Sequence, residues 1–399
     1  MPMGLSFELS PEQVAIRDTC REFASQVVAP QAAEWDRREE FPYPLVSQMA
    51  ELGLFGLPYP ESVGGAGADF ISYLLALEEI ARADAALAIT LEAAVSLGIA
   101  PIFHFGTDAQ KERYLPDLCA GRKLWAFGLT EPEAGSDAGG TKTRARREQE
   151  QWVIDGSKCF ITNSGTDIST GVTITAVTAE EGGRKRISAF LIERGTSGYA
   201  IAAPYRKLGW HASDTRELNF ADCRIPEAQL LGREGGGLGQ FFKSLEAGRV
   251  AIAALAVGLA QACLDASLSY AQQRHQFGRP ISHFQAIQLK LADMATQIEL
   301  SRLMVWRAGL LINQGQPAGK FAAMAKVHAS ETATWCANQA VQIHGGAGFM
   351  EDLPVARYYR DVKINEIGEG TSEVQRLMIA SHLLGLGGSV SKLLDQDRN

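Results

Sequence analysis

The sequence predicts an α+β multidomain fold, with an N-terminal all-α domain over 1–124, a middle β domain of barrel or sandwich type over 125–235 and a C-terminal four-helix bundle over 236–399. Helix-capping patterns punctuate the first third. β-Branched residues alternate in short runs from about Trp125 to Arg233, and long proline-free stretches fill the last third.

The elements follow in order. Ser10-Pro11-Glu12-Gln13 offers a Ser N-cap, a Pro at the first helical position and a Gln three residues on, the reciprocal pattern that satisfies orphan amides at a helix start. Thr107-Asp108-Ala109-Gln110 repeats it before Lys111–Leu118, while Pro42, Pro58, Pro60, Gly64, Gly65 and Gly67 break the segment between. In the middle, 152–154, 171–177, 187–192 and 217–220 read as strands, and 180–186 as a polar, Gly-rich hairpin tip. After a Gly-rich linker at 232–239, the stretches 240 to about 275, 283–313, 320–344 and 372–386 read as helices with short connections, which pack as an antiparallel bundle. There is no internal repeat or low-complexity segment.

Composition narrows the function classes. With 399 residues, 46% apolar and 21% charged, the chain can bury a large core. A formal charge of −8 argues against nucleic acid and anionic membrane as partners, because both need a local excess of Lys and Arg. The six cysteines are far apart, without C-x-x-C, and sit among apolar neighbours. A reducing compartment is therefore expected: the cytoplasm, or the mitochondrial matrix for a processed form. Met1 to Ser10 shows no targeting pattern. The longest uncharged apolar run, Val250 to Ala260, falls short of the roughly 18 residues of a membrane span. Strand-linked G-x-G-x-x-G, the P-loop and G-x-S-x-G are absent, and the histidines lack metal-ligand spacing, so no metal is expected.

Four stretches carry binding chemistry beside plainer readings. Gly128–Asp137 is dense in Gly, Thr and Ser and offers amides and hydroxyls, as any turn-rich loop does. Lys158–Asn163 places Phe160 and Thr162 two residues apart, hence on one strand face, where one can stack on a flat ring and the other bond its edge; a core Phe reads the same way. Arg274–Pro280 is a basic break between helices suited to a phosphate, or a complement to a helix dipole. Gln342–Gly348 ends a helix in glycines that admit a pyrophosphate, or simply cap it. Glu369, between Gly368 and Gly370, precedes a helix that Thr371 or Ser372 can cap.

On these stretches the chain resembles the acyl-CoA dehydrogenase family nearly end to end: LTEPEAGSD at 129–137, KCFITN at 158–163, RHQFGRPI at 274–281, QIHGGAGF at 342–349 and EGTSEVQR at 369–376. The resemblance implies FAD as cofactor. It puts Phe127, Leu129, Thr130, Phe160 and Thr162 around the flavin ring, and Ser136 where flavin phosphate and thioester chain are both approached. Arg274, Gln276, Phe277, Gln342 and Gly346 would reach the FAD of a neighbouring subunit, and Thr371 and Glu373 that of their own. A homotetramer built as a dimer of dimers is implied, as is an electron-transferring flavoprotein as acceptor.

By the same resemblance Glu369 is the base that takes the α-proton of an acyl-CoA, with Gly370 beside it at the substrate, and the β-hydride leaves to flavin N5. A carboxylate is a weak base for such a carbon acid. Desolvation must raise its pKa, and hydrogen bonds to the thioester carbonyl, from the Glu369 amide and a ribityl hydroxyl, must stabilise the developing enolate. Members that carry the base on the long helix have it where this chain has Gly248, which returns the assignment to Glu369. Glu246 and Arg249 match residues that contact CoA, although an i,i+3 ion pair is the plainer reading. Two departures matter: Gly368 stands where many members have Tyr, and 85–90 lacks the Arg of the glutaryl-CoA branch. Tail specificity is assigned to Leu87–Gly98, including Glu92.

The alternatives are an oxidase or an acyl-carrier-protein dehydrogenase of the same fold and, more remotely, a nucleic-acid-binding member of the superfamily. The last would need a basic C-terminal region, and beyond Arg376 only Lys392 and Arg398 add positive charge there. A two-component flavin monooxygenase has no use for the Glu369 motif.

Overall fold

The computed structural model describes residues 8–390. Lys392, Arg398 and Met1 to Phe7 lie outside them.

Both capping boxes form. Ser10 caps Pro11–Phe23, which continues through a π-turn at Ala24–Val28 into Ala29–Arg38, and Thr107 caps Asp108–Cys119. The centre of the N-terminal domain is Phe70–Ala83, followed by a nearly continuous helical run from Ala85 to Phe105 with a π segment at Ala93–Ile99. These helices are largely apolar because they are buried on nearly every face; they bury Tyr73, Leu74, Leu77, Ile80, Leu87 and Leu91 in one core with the C-terminal domain.

The middle domain is an eight-stranded sheet. Tyr199–Ile201, Thr215–Pro226, Gln151–Thr162 and Arg144–Glu148 lead to Ser169–Glu181, Arg184–Glu193 and Leu230–Leu231, with Leu124–Gly128 paired parallel to Ser169–Glu181. It has its own core around Trp152, Ile154, Val172, Ile174, Phe190 and Phe220. The strands reach further than their composition suggests. The 180–186 tip shrinks to Gly182-Gly183, both at positive φ (56° and 76°), which closes the hairpin in two residues.

The C-terminal bundle consists of Gly237–Gln273, Gln285–Asn313, Gly319–His344 and Ser372–Leu383, with a further short helix at Pro354–Asp361. The long helix begins inside the expected linker, since a side chain on Gly237 would overlap the Ser188 backbone where helix meets sheet. Gly258 likewise lets this helix cross Phe70–Ala83 at the Glu78 carbonyl. By length and composition alone, Ala85–Phe105 and Gly237–Gln273 could each cross a bilayer, but 89% and 83% of their apolar windows are buried inside the fold, which makes them core helices. All six cysteines are free and buried.

Candidate active site

Glu369 sits in the turn between a 3-10 segment, Val362–Glu366, and the Ser372–Leu383 helix. Its φ is 56°, a left-handed conformation that strains a residue with a side chain, and Gly370 follows at 99°. Three contacts hold the turn. Thr371 caps the helix by accepting from Val374 N (3.3 Å). Gln375 Nε2 donates to the carbonyls of Glu369 and Gly370 (3.1 Å each), and Lys326 Nζ donates to the Gly370 carbonyl (2.7 Å).

This backbone turns the Glu369 side chain inward. The residue as a whole is half-buried, yet both carboxylate oxygens are buried and have no hydrogen-bond donor other than a proton carried by Glu92. The carboxylate lies against Gly248 on the long helix, where an added Cβ would overlap Oε2 and come within 3.3 Å of Cδ. Glu92, fully buried at the end of the Ala85–Glu92 helix, interacts with it directly. Two apposed carboxyls in that state are relieved by sharing one proton. Burial, then the charge of Glu369, pushes Glu92 far above the usual range and makes it the protonated member. Burial also raises Glu369, opposed by the Glu92 hydrogen bond and by the charges of Lys326 and Arg249. A desolvated, ionisable carboxylate with free lone pairs can accept a proton from carbon if one is brought to it.

The flavin-ring candidates gather on the middle domain. Phe127 stacks on Phe241 of the long helix (centroids 4.1 Å apart) and is half-buried, as are Leu129, Thr130 and Thr162. Simple strand alternation misses one feature. The pairing of Gln151–Thr162 with Thr215–Pro226 slips between Lys158 and Ile161, and Phe160 sits in this bulge at φ 61°. Its ring is thereby turned out, 64% exposed, with Tyr205 5.4 Å away. Ser136 is exposed in the loop after Glu131.

That loop is anchored from beneath. Lys158, fully buried, donates to the Leu129 carbonyl (3.1 Å), Glu131 Oε1 (2.7 Å) and Thr175 Oγ1 (3.1 Å), and Glu131 also accepts from the Lys142 amide (2.6 Å). Lys158→Met strands the Glu131 charge, with side-chain exposure of 4%. It is expected to cost about 3 to 5 kcal/mol and to lower the midpoint in differential scanning calorimetry; an unchanged midpoint would show that the pair carries no such weight.

Six of the other predicted residues, Arg274, Gln276, Phe277, Gln342, Gly346 and Glu373, lie at the surface of the chain. Arg274, Gln276 and Phe277 belong to a small hairpin, His275–Gln276 paired with Arg279–Pro280, whose turn at Phe277-Gly278 has φ 51° and 76° and leaves Phe277 93% exposed. Gln342, Gly346 and Glu373 are exposed, Gly346 beyond the Gly345 that ends its helix at φ 59°. One expected contact is not formed: Glu246 pairs with Lys243 (2.9 Å) and accepts from the Ala318 amide (3.0 Å), not from Arg249, whose Nε is buried without an acceptor. The charge of Arg249 instead acts on Glu369 and helps hold it down. Sequence reasoning missed Lys326, although a lysine in the run Phe321-Ala322-Ala323-Met324-Ala325 was a visible signal of a buried cation.

A buried carboxylate thus lies against the long helix of the C-terminal domain, and the β domain separately turns an aromatic ring out to the surface. Residues 10–122, 126–223 and 235–384 match, in that order, the N-terminal, middle and C-terminal domains of acyl-CoA dehydrogenase. The chain is 50% identical over 381 residues to a probable acyl-CoA dehydrogenase, YngJ, of Bacillus subtilis, covering 95% of this chain and all of that protein. It is 45% identical to the mitochondrial short-chain specific acyl-CoA dehydrogenase of Rattus norvegicus, over 95% of this chain and 92% of that one. Butyryl-CoA dehydrogenase from Megasphaera elsdenii superposes with a TM-score of 0.92 at 41% identity, over 95% of this chain and 100% of that one. The chain belongs to the acyl-CoA dehydrogenase family and is an oxidoreductase of that kind.

Proposed function

We propose that this enzyme introduces the α,β double bond into a short acyl-CoA thioester, with Glu369 taking the α-proton. The observation that carries this reading is the Glu369 carboxylate, buried with no donor but a proton on Glu92 and fitted against a glycine that leaves it room. A buried polar group left unpaired is costly and persists where a ligand uses it. The short-chain relatives support a short tail.

FAD fits the residues present. The bulge that exposes the Phe160 ring, with Thr162, Leu129 and Thr130 around it and Phe127 behind, makes a platform for a flat ring. Bound there, the flavin would accept the β-hydride. Thr371 and Glu373 would hold its polar arm, and the exposed Arg274, Gln276, Phe277, Gln342 and Gly346 would meet the FAD of a second copy. The exposed apolar groups Phe277 and Phe349 (93% and 80%) are surfaces a dimer of dimers would cover. Ser136 and Gly370 would line the thioester, Glu246 and Arg249 the CoA arm, and the Glu369 amide would donate to the thioester carbonyl as negative charge gathers there. An electron-transferring flavoprotein would take the electrons, in the cytoplasm or a mitochondrial matrix.

Anaerobic titration of the purified yellow protein with CoA esters of graded length and branching tests this. Bleaching of the flavin bands by butyryl-CoA ahead of longer and branched esters is the expected result. A spectrum moved only by carrier-protein thioesters, or rapid oxygen uptake in turnover, would favour the carrier-protein dehydrogenase or the oxidase; a protein without flavin would overturn the reading.

A further inference from the structure

Lys326 lies on the Gly319–His344 helix among Ala322, Ala323, Ala325 and Ala329, all buried, and is itself fully buried. Taking an ammonium out of water is costly unless something nearby uses the charge. Its hydrogen bond goes to the Gly370 carbonyl (2.7 Å), next to Glu369. That oxygen already receives a neutral donor, Gln375 Nε2 at 3.1 Å, so the turn does not need a lysine to satisfy it. What Lys326 adds is positive charge. The ammonium makes its bond to the backbone and not to the carboxylate. A direct ion pair would occupy the lone pair needed for a proton; a charge held one peptide away favours the ionised form and takes up neither oxygen.

Resting on the reading of Glu369 as base, we propose that Lys326 is a positioning residue that fixes the base-bearing turn through Gly370 O and supplies the standing positive charge that keeps Glu369 ionised in a dry site. The other groups facing this cluster are Glu92 and Tyr73 from the N-terminal helices, Arg249 from the long helix, and Glu366 and Glu373 flanking the turn. Of the two cations, Arg249 would also answer to substrate as a CoA contact, whereas Lys326 is committed to the turn.

The charge has a definite sign of effect. Burial lowers Lys326 to about 8, with the charge of Glu369 opposing the fall, and the same pairing lowers Glu369 against its own desolvation. Removing the cation lets Glu369 rise further, so the base is protonated, and idle, up to a higher pH.

The test is the pre-steady-state rate of flavin bleaching by butyryl-CoA across pH in FAD-loaded wild type, Lys326→Met, Lys326→Arg and Gln375→Met. In Lys326→Met the acidic limb should move to higher pH, so that the loss near about pH 6 exceeds that near about pH 9 by roughly tenfold. Lys326→Arg, which keeps the charge, should restore the wild-type limb even if the rate is lower. Gln375→Met, which removes only neutral donors from the same turn, should slow bleaching equally at every pH. Should Lys326→Met lose its FAD, Lys326→Gln keeps a donor for Gly370 O and gives the same comparison. An unmoved limb in Lys326→Met or Lys326→Gln, or a limb that Arg does not restore, overturns the role while leaving the dehydrogenase reading intact. Wild type that no acyl thioester bleaches overturns both.

Discussion

Glu369→Gln is expected to bind FAD and acyl-CoA yet bleach its flavin at least about a thousandfold more slowly than wild type. The substitution is close to isosteric. The turn should survive it, because that turn is held by backbone contacts from Gln375, Lys326 and the Thr371 cap, none of which involves the Glu369 carboxylate. What is lost is the basic oxygen. An amide cannot take a proton from carbon, and burial, the larger cause of the raised Glu92, persists in the variant. In wild type, burial raises Glu369, so bleaching should climb as pH rises through that raised pKa and level off above it. The variant should show no such climb. Stopped-flow bleaching with butyryl-CoA measures both, and a Gln variant within tenfold of wild type would remove Glu369 from the chemistry.

Gly248→Ala is expected to be nearly as damaging, through a single methyl group. Helix propensity favours Ala over Gly by roughly 1 kcal/mol, so on a secondary-structure view the change should stabilise the long helix. The site reverses that. The new Cβ would overlap Glu369 Oε2 and press on Cδ at 3.3 Å, with Leu97 Cδ2 at 3.4 Å on the other side. The carboxylate is the end of a flexible side chain and is the group that would yield. A misplacement of about 1 Å in a reacting group costs on the order of a hundredfold in rate. The measurement is the bleaching rate against the thermal midpoint: a large loss of rate with little change in midpoint is expected, and an unaffected rate would show that the carboxylate does not work from where it rests.

The domain plan was legible because it depends on local chemistry. Ser10 and Thr107 announced their helices through capping boxes that do form, and the Gly-Gly tip and the long proline-free runs gave the hairpin and the bundle to within a few residues. The Phe160 bulge was not legible, since strand alternation describes residues in register and a register slip is set by the partner strand. Nor was the fate of Glu246, whose spacing suits Arg249 but whose carboxylate found Lys243 and the Ala318 amide instead.

By itself, then, the sequence determined the helix starts, the turns, the order of three domains and the identity of a carboxylate suspended between glycines, because each depends on residues a few positions apart. Only the tertiary structure decided where that carboxylate rests. Its burial, its fit against Gly248, its apposition to Glu92 and the hydrogen bond of Lys326 behind its turn join residues as far apart as 92, 248, 326 and 369. Desolvation and charge act through space, and the chain brings those residues into one dry volume only when the helical domains close on each other.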